Sequence, residues 1–191
     1  MNYRTRTGHT QSVLPSRSTL ISTLKPTARL ASIQAPGSIE AIVADSTAKA
    51  EQFVTRYYTA QDVVPTERPS RVHPLYAPTA RVTWNGNPIS YGDLSAFVQQ
   101  MPQSKHEVQA YDCHPISGSA AGGPTSLVVT VTGQVTHGPN PTPSAGSITS
   151  KNFDNLPRVF SQSFILVFTE TGDPNVGVGG YQIAADSFRF C

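Results

Sequence analysis

The sequence predicts an α+β domain in which helices come first and a curved antiparallel sheet follows. Apolar residues between 39 and 58 recur mostly at three- and four-residue steps, the period of an amphipathic helix. Four strand-length segments then fill the second half, at 106–116, 127–137, 158–170 and 181–190, separated by turn or loop composition. The strands follow the helices instead of alternating with them, which separates this class from a parallel βαβ fold.

Each element has its own signal. Residues 1–38 hold Arg4, Arg6, Arg17, Lys25 and Arg29, are rich in Ser, Thr and Pro, and contain no acid, the first being Glu40. Two readings fit that composition: a disordered tail, which lacks the apolar content to offset ordering entropy, or a mitochondrial transit peptide. Met101 is the first methionine after Met1, so no internal start precedes the domain. Ile39, Ile42, Val43, Ala50, Phe53, Val54, Tyr57 and Tyr58 form the long helix. A second, shorter helix starts at Thr66 or Ser70 and runs through Leu75 and Tyr76, punctuated by Pro65, Pro69 and Pro74. Residues 80–84 make a short strand, and Asn85-Gly86 is the pair best suited to a two-residue hairpin turn. Asp93 caps a helix from Leu94 to Met101, stopped by Pro102.

The strands carry opposed faces. Leu127, Val129, Val131 and Val135 are set inward, with Val128, Thr130, Thr132, Gln134 and Thr136 opposite, while Phe160, Phe164, Leu166 and Phe168 share one face of the next strand. Strands this long usually curve to enclose something. The Gly/Ala-rich stretch 117–126 and the Pro-rich loop 138–156 connect them, and a structureless loop of that length is either functional or disordered. The domain therefore runs from 39 to 191, with residues 1–38 outside it.

Composition excludes several classes. The 191 residues are 38% hydrophobic and 14% charged, which suits a folded core and excludes wholesale disorder. Phe164 to Phe168 is the longest apolar run, far short of the ~20 residues a membrane helix needs. Cys113 and Cys191 are the only cysteines, so a disulfide scaffold and a four-cysteine zinc site are out and a reducing compartment is expected. The net charge is +2, but the domain from 39 onward holds nine basic against twelve acidic residues. A slightly acidic domain lacks the footprint of a stand-alone nucleic-acid binder.

Few residues suggest chemistry of their own. Asp112-Cys113-His114 is the densest polar cluster, and Asp112 and His114 share a strand face roughly 7 Å apart. Nothing in the sequence supplies a third member, and no zinc or paired-carboxylate signature occurs, so no metal, cofactor or catalytic residue is expected. Trp84, Tyr57 and Tyr58 are expected in the core, and Asp186 is the one obvious inward acid. Arg189, between Phe188 and Phe190, either snorkels at an edge or meets a carboxylate, including one from another chain.

Taken together, the segments resemble a known family. Phe53-Val54-Thr55-Arg56-Tyr57-Tyr58, Leu75-Tyr76 and Val82-Thr83-Trp84-Asn85-Gly86-Asn87 look like the helix-plus-hairpin opening of nuclear transport factor two-like domains. Asp112-Cys113-His114-Pro115, Gly133-Gln134-Val135, the strand from Arg158 to Leu166 and the terminal Ile183-Ala184-Ala185-Asp186-Ser187-Phe188-Arg189-Phe190 continue the series in family order. The Trp-Asn-Gly-Asn and Asp-Cys-x-Pro elements are similar to the small NTF2-related subunit of the general mRNA export receptor, and the long loop to its fungal members.

That resemblance implies a cone of helices packed into a curved sheet whose outer face pairs with the like domain of a larger, RNA-binding subunit. The heterodimer would carry messenger ribonucleoprotein through nuclear pores by engaging Phe-Gly repeats, with RNA contacted indirectly and the protein in the nucleus and at the pore, shuttling to the cytoplasm. It implies an intersubunit ion pair for Arg189 and places Thr130, Thr132 and Gln134 on the partner face, with Asp112 and Gln162 added to that set. Ser187 joins Arg189 there by strand period. Two alternatives come with the fold: an isomerase, dehydratase or hydrolase working inside the cone, or a homodimeric carrier of a small GTPase. An enzyme needs convergent polar groups in a cavity, whereas the face set inward here is Leu127, Val129, Val131 and Val135.

Overall fold

The computed structural model describes residues 38–116, 124–138, 156–169, 173 and 175–191. The tail reading and most of both long connections lie outside the described residues. A long helix α1 (Ile39–Gln61) opens the fold, followed by α2 (Arg68–Val72), a 3-10 turn (His73–Leu75), β1 (Tyr76–Trp84), β2 (Asn87–Ile89) and α3 (Leu94–Gln100). Four long strands complete it: β3 (Ser104–Ile116), β4 (Ser126–His137), β5 (Arg158–Phe168) and β6 (Tyr181–Phe190). Ser38 caps α1, its hydroxyl accepting the N–H of Ala41. The strand order is β2-β1-β6-β5-β4-β3, in an open, curved sheet with the helices packed against it.

Three local expectations need correction. The sheet is mixed, because β1 runs parallel to β6 while every other pair is antiparallel. Parallel pairing requires a long connection, and here the intervening chain from β2 to β5 supplies it. Tyr76 begins β1 instead of ending a helix, since the chain turns extended at that residue. Asp93 stands at the start of α3 but makes no side-chain cap; its carboxylate accepts the hydroxyl of Ser90 instead.

Alternation explains the core. Leu127, Val129, Val131 and Val135 of β4 and Phe160, Phe164 and Leu166 of β5 are fully buried, and they meet Phe53, Val54, Tyr57 and Tyr58 from α1. Phe168, at the end of β5, keeps this face by pairing with the buried Tyr181 but is 39% exposed. Trp84 is half-buried and lies flat on Phe188, with centroids 3.8 Å apart. Gly133 pairs with Val108, where β3 bulges between Val108 and Ala110. A Cβ there would stand 2.3 Å from the Glu107 carbonyl oxygen, so the close approach of β3 and β4 requires glycine.

A polar network runs through this apolar interior. Asp186 of β6 accepts hydrogen bonds from Tyr76 at 2.6 Å and Tyr57 at 3.3 Å on one oxygen, and from the Gln162 amide at 2.8 Å on the other. Gln162 also donates to Tyr57 and accepts from Tyr58, and Gln61 donates to Tyr57. Burial raises the Asp186 carboxyl to about 6 despite these donors. Burial, and then the Asp186 charge, hold the Tyr57 and Tyr76 phenols well above their usual range. Near the base of β4, His137 is lowered to about 4, first by burial and then by repulsion from His106 and Arg158.

Two further polar residues join the helices to the sheet. Asp62, beyond the end of α1, accepts the backbone N–H of His106 at 2.8 Å and bonds the His106 ring at 2.6 Å and Ser104 at 3.1 Å. Arg68 is fully buried, and its two terminal nitrogens donate to the carbonyls of Val63, Val98, Met101 and Pro102. One guanidinium thus ties α2 to the end of α3.

The titrations oppose each other. Folding raises the Asp186 pKa, so its contribution is full below about pH 4 and lost as pH rises through 6. Folding lowers that of His137, whose contribution is full above 6.5 and lost as pH falls through 4. Denaturant midpoints measured from pH 4 to 7 should therefore rise with pH in Asp186→Asn and fall with pH in His137→Gln, with the parent flatter than either. Parallel slopes in the two variants would contradict the assignment. Arg68→Met strands buried carbonyls and should cost at least about 3 kcal/mol in the same measurement.

Candidate functional site

Among the described residues, the helices cover one face of the sheet and leave most of the other exposed. Strand parity fixes what stands there. Because Asp186 and Phe188 point inward, Ser187 and Arg189 point outward, and because Leu127, Val129 and Val131 point inward, Val128, Thr130 and Thr132 point outward. The registers align these residues into cross-strand rows. Thr83, Ser187, Ser163, Thr130 and Asp112 form one row from β1 to β3. Arg189, Ser161, Thr132 and Ala110 form the next, and Arg81, Ala185, Ile165, Val128 and His114 a third.

The face is a field of small side chains with charge at its borders. Ser, Thr and Ala occupy most of its centre, interrupted by Ile165 at 40% and Val159 at 47% exposure. Arg81 and Arg189 lie on the β1–β6 side; Glu107 and Asp112 lie on β3 with Lys105, two acids against one cation. Such a surface lets another sheet approach closely, because few side chains project far from the backbone. Thr130 and Ser163 stand 3.5 Å apart, oxygen to oxygen, leaving both hydroxyls with capacity for other partners.

Six of the seven residues expected at a partner face stand on this surface: Arg189, Ser187, Thr130, Thr132, Gln134 and Asp112. Gln162 does not. It is 2% exposed and bonded to Tyr57, Tyr58 and Asp186 inside the cone. The signal was available, since Gln162 lies in phase with Phe160 and Phe164, and the outward residues of β5 are its neighbours Ser161 and Ser163. Asp112 is also more engaged than expected. One oxygen accepts the N–H of Cys113 at 2.9 Å and the other bonds the His114 ring at 3.0 Å. Cys113 itself is half-buried, its thiol 3.5 Å from the Ser46 carbonyl, and burial raises its pKa.

The interior of the cone offers little room by comparison. The cavity bounded by Tyr57, Gln61, Trp84, Met101, His106, Gln162 and Phe188 is about 10 Å³, space for one water molecule at most. Asp186, the inward acid, spends both oxygens on protein donors. Among the described residues no group of three or more His, Cys, Asp or Glu gathers as a metal site, and no helix is long and apolar enough to cross a membrane.

The family profile of the nuclear transport factor 2 (NTF2) domain matches residues 49–190. NTF2-related export protein 1 of Bos taurus is 33% identical over 142 residues, covering 74% of this chain and 85% of that protein. Among solved structures, the Chaetomium thermophilum Mex67 NTF2-like domain complexed with Mtr2 superimposes with a TM-score of 0.57 at 18% identity, over 76% of this chain and 98% of that one. A putative scytalone dehydratase from Novosphingobium aromaticivorans reaches 0.56 at 10% identity, over 80% and 89%, so the fold by itself is shared by proteins of different activity. The match from 49 to 190 takes in α1 from its middle and every strand of the sheet, and the chain belongs to the nuclear transport factor 2 domain family.

Proposed function

We propose that this chain is the small, non-enzymatic subunit of an mRNA export receptor. Its open sheet face packs against the NTF2-like domain of a larger, RNA-binding subunit, and the heterodimer carries ribonucleoprotein through nuclear pores on Phe-Gly repeats. The observation that carries the reading is the face itself: aligned rows of Ser, Thr and Ala, with arginines at one border and an acidic excess at the other. The names of its relatives, NTF2-related export proteins, and a structural neighbour described as a complex with a partner support it.

The chemistry divides between centre and border. Small residues and the exposed Ile165 and Val159 supply close packing and apolar area. Arg189 supplies direction, because a guanidinium grips a carboxylate with two parallel bonds only in one orientation. Among the described residues, the small cavity beside Tyr57 and Gln162 and the engaged oxygens of Asp186 favour a binding role over an enzymatic one. The working unit is the domain from 39 to 191, acting in the nucleus and at the pore.

Dissociation constants against the purified larger subunit test this. Arg189→Ala should weaken binding by roughly 3–5 kcal/mol, because the partner carboxylate is left desolvated and unpaired. Arg189→Glu should cost more, and Arg189→Lys should restore only part of the loss. Circular dichroism establishes that each variant is folded. A charge reversal that binds like the parent would remove this face from the interface.

A further inference from the structure

The hairpin turn between β1 and β2 reaches further than its own two strands. Asn85 and Gly86 have φ of 49° and 84°, positive at both central positions as the tightest hairpin turns require. Trp84 pairs with Asn87 across the turn. The parallel pairing of β1 with β6 ends at Trp84 and Phe188, yet the contact with β6 continues. The backbone N–H of Asn85 donates to the Phe188 carbonyl at 2.8 Å, and its side-chain carbonyl accepts the N–H of Phe190 at 3.0 Å. The amide side chain therefore stands in for the next backbone carbonyl that a longer β1 would have offered.

Arg189 is the residue between those two attachments. On its other side it pairs with Ser161 of β5, so its backbone is held from both neighbours. Its guanidinium lies beside the turn: a Cβ built on Gly86 would stand 3.9 Å from Nη2. Asparagine suits position 85 because it tolerates positive φ better than most residues and has an acceptor of the right reach.

We propose that Asn85 is the positioning residue for Arg189. By holding Phe188 and Phe190 it sets the backbone from which the arginine leaves the sheet, and the turn beside it limits where the guanidinium goes. A carboxylate on an approaching surface then meets a pre-arranged fork instead of a free side chain, which spares ordering entropy on binding. The inference rests on the heterodimer reading above.

Asn85→Gly separates the two roles of the residue, since glycine keeps the positive φ and loses the acceptor. Thermal melts confirm folding, and hydrogen exchange should show the Phe190 amide exchanging faster. Affinity for the purified larger subunit should fall roughly tenfold, by lost pre-organisation alone. In an Arg189→Ala background the same change should cost nothing more. Asn85→Asp, which keeps an acceptor at that reach, should retain the protection of Phe190 and more of the affinity than glycine does; it also replaces the glycine variant if that one fails to fold. If Arg189→Ala weakens binding but Asn85→Gly does not, or adds its loss in full to the double variant, the positioning role is overturned alone. If Arg189→Ala binds like the parent, the heterodimer reading falls and this inference with it.

Discussion

The carboxyl of Asp186 is the point from which both layers of the molecule are set. It receives Tyr57 from α1, Tyr76 from the first residue of β1 and Gln162 from β5, so three elements far apart in sequence converge on one side chain of β6. A carboxyl this deeply buried is stabilising only when its acceptors are filled, and here they are. The consequence reaches the opposite face by parity. A slip of one residue in β6 would turn Asp186 to solvent and Ser187 and Arg189 into the core. The inner network thereby fixes the outer surface, although no atom of the network lies on that surface.

The sheet's edges are as informative as its faces. An edge strand offers unpaired backbone groups to any other chain, and β3 is thirteen residues long. Its edge is interrupted at intervals. Asp62 takes the N–H of His106, Asp112 takes the N–H of Cys113, Pro115 has none to offer, and a register shift breaks the run between Val108 and Ala110. The opposite edge, β2, has only three residues. Strand addition is discouraged at both ends, while the broad outer face carries no comparable obstruction.

Much of this was legible from residue order. The alternation of β4 as far as Val135, the Asn85-Gly86 turn and the three- and four-residue steps of α1 report local rules that packing did not override, whereas Thr136, set outward by period, is buried. Legibility ended where a residue's partner is distant in sequence. Gln162 resembled an interface residue only while its phase with Phe160 and Phe164 was ignored. Arg68, which stitches α2 to the end of α3, gave no signal, because its partners are backbone carbonyls and any sequence supplies those. The parallel pairing of β1 with β6 was equally hidden, since it depends on where a long intervening chain returns. The second structural job of Asn85 was out of reach for the same reason: a turn signature announces φ, not what the side chain will hold.

Charge at the borders and its absence at the centre have different physical uses. Between β6 and β3 the outer face crosses three strand spacings, roughly 14 Å, filled chiefly by Ser, Thr, Ala and short aliphatics. At that separation, in salt, Arg189 and Asp112 scarcely feel one another, and Asp112 answers first to the Cys113 N–H and the His114 ring beside it. A neutral centre carries no large desolvation cost when covered, whereas a central ion pair would have to recover its hydration before contributing. Two arginines on one border and an acidic excess on the other, which also holds Lys105, make the face polar along one direction. A surface of opposite polarity docks in one orientation, while the reversed orientation sets like charges together. On the proposed interface the centre would supply close packing, and the borders would set orientation while adding affinity of their own.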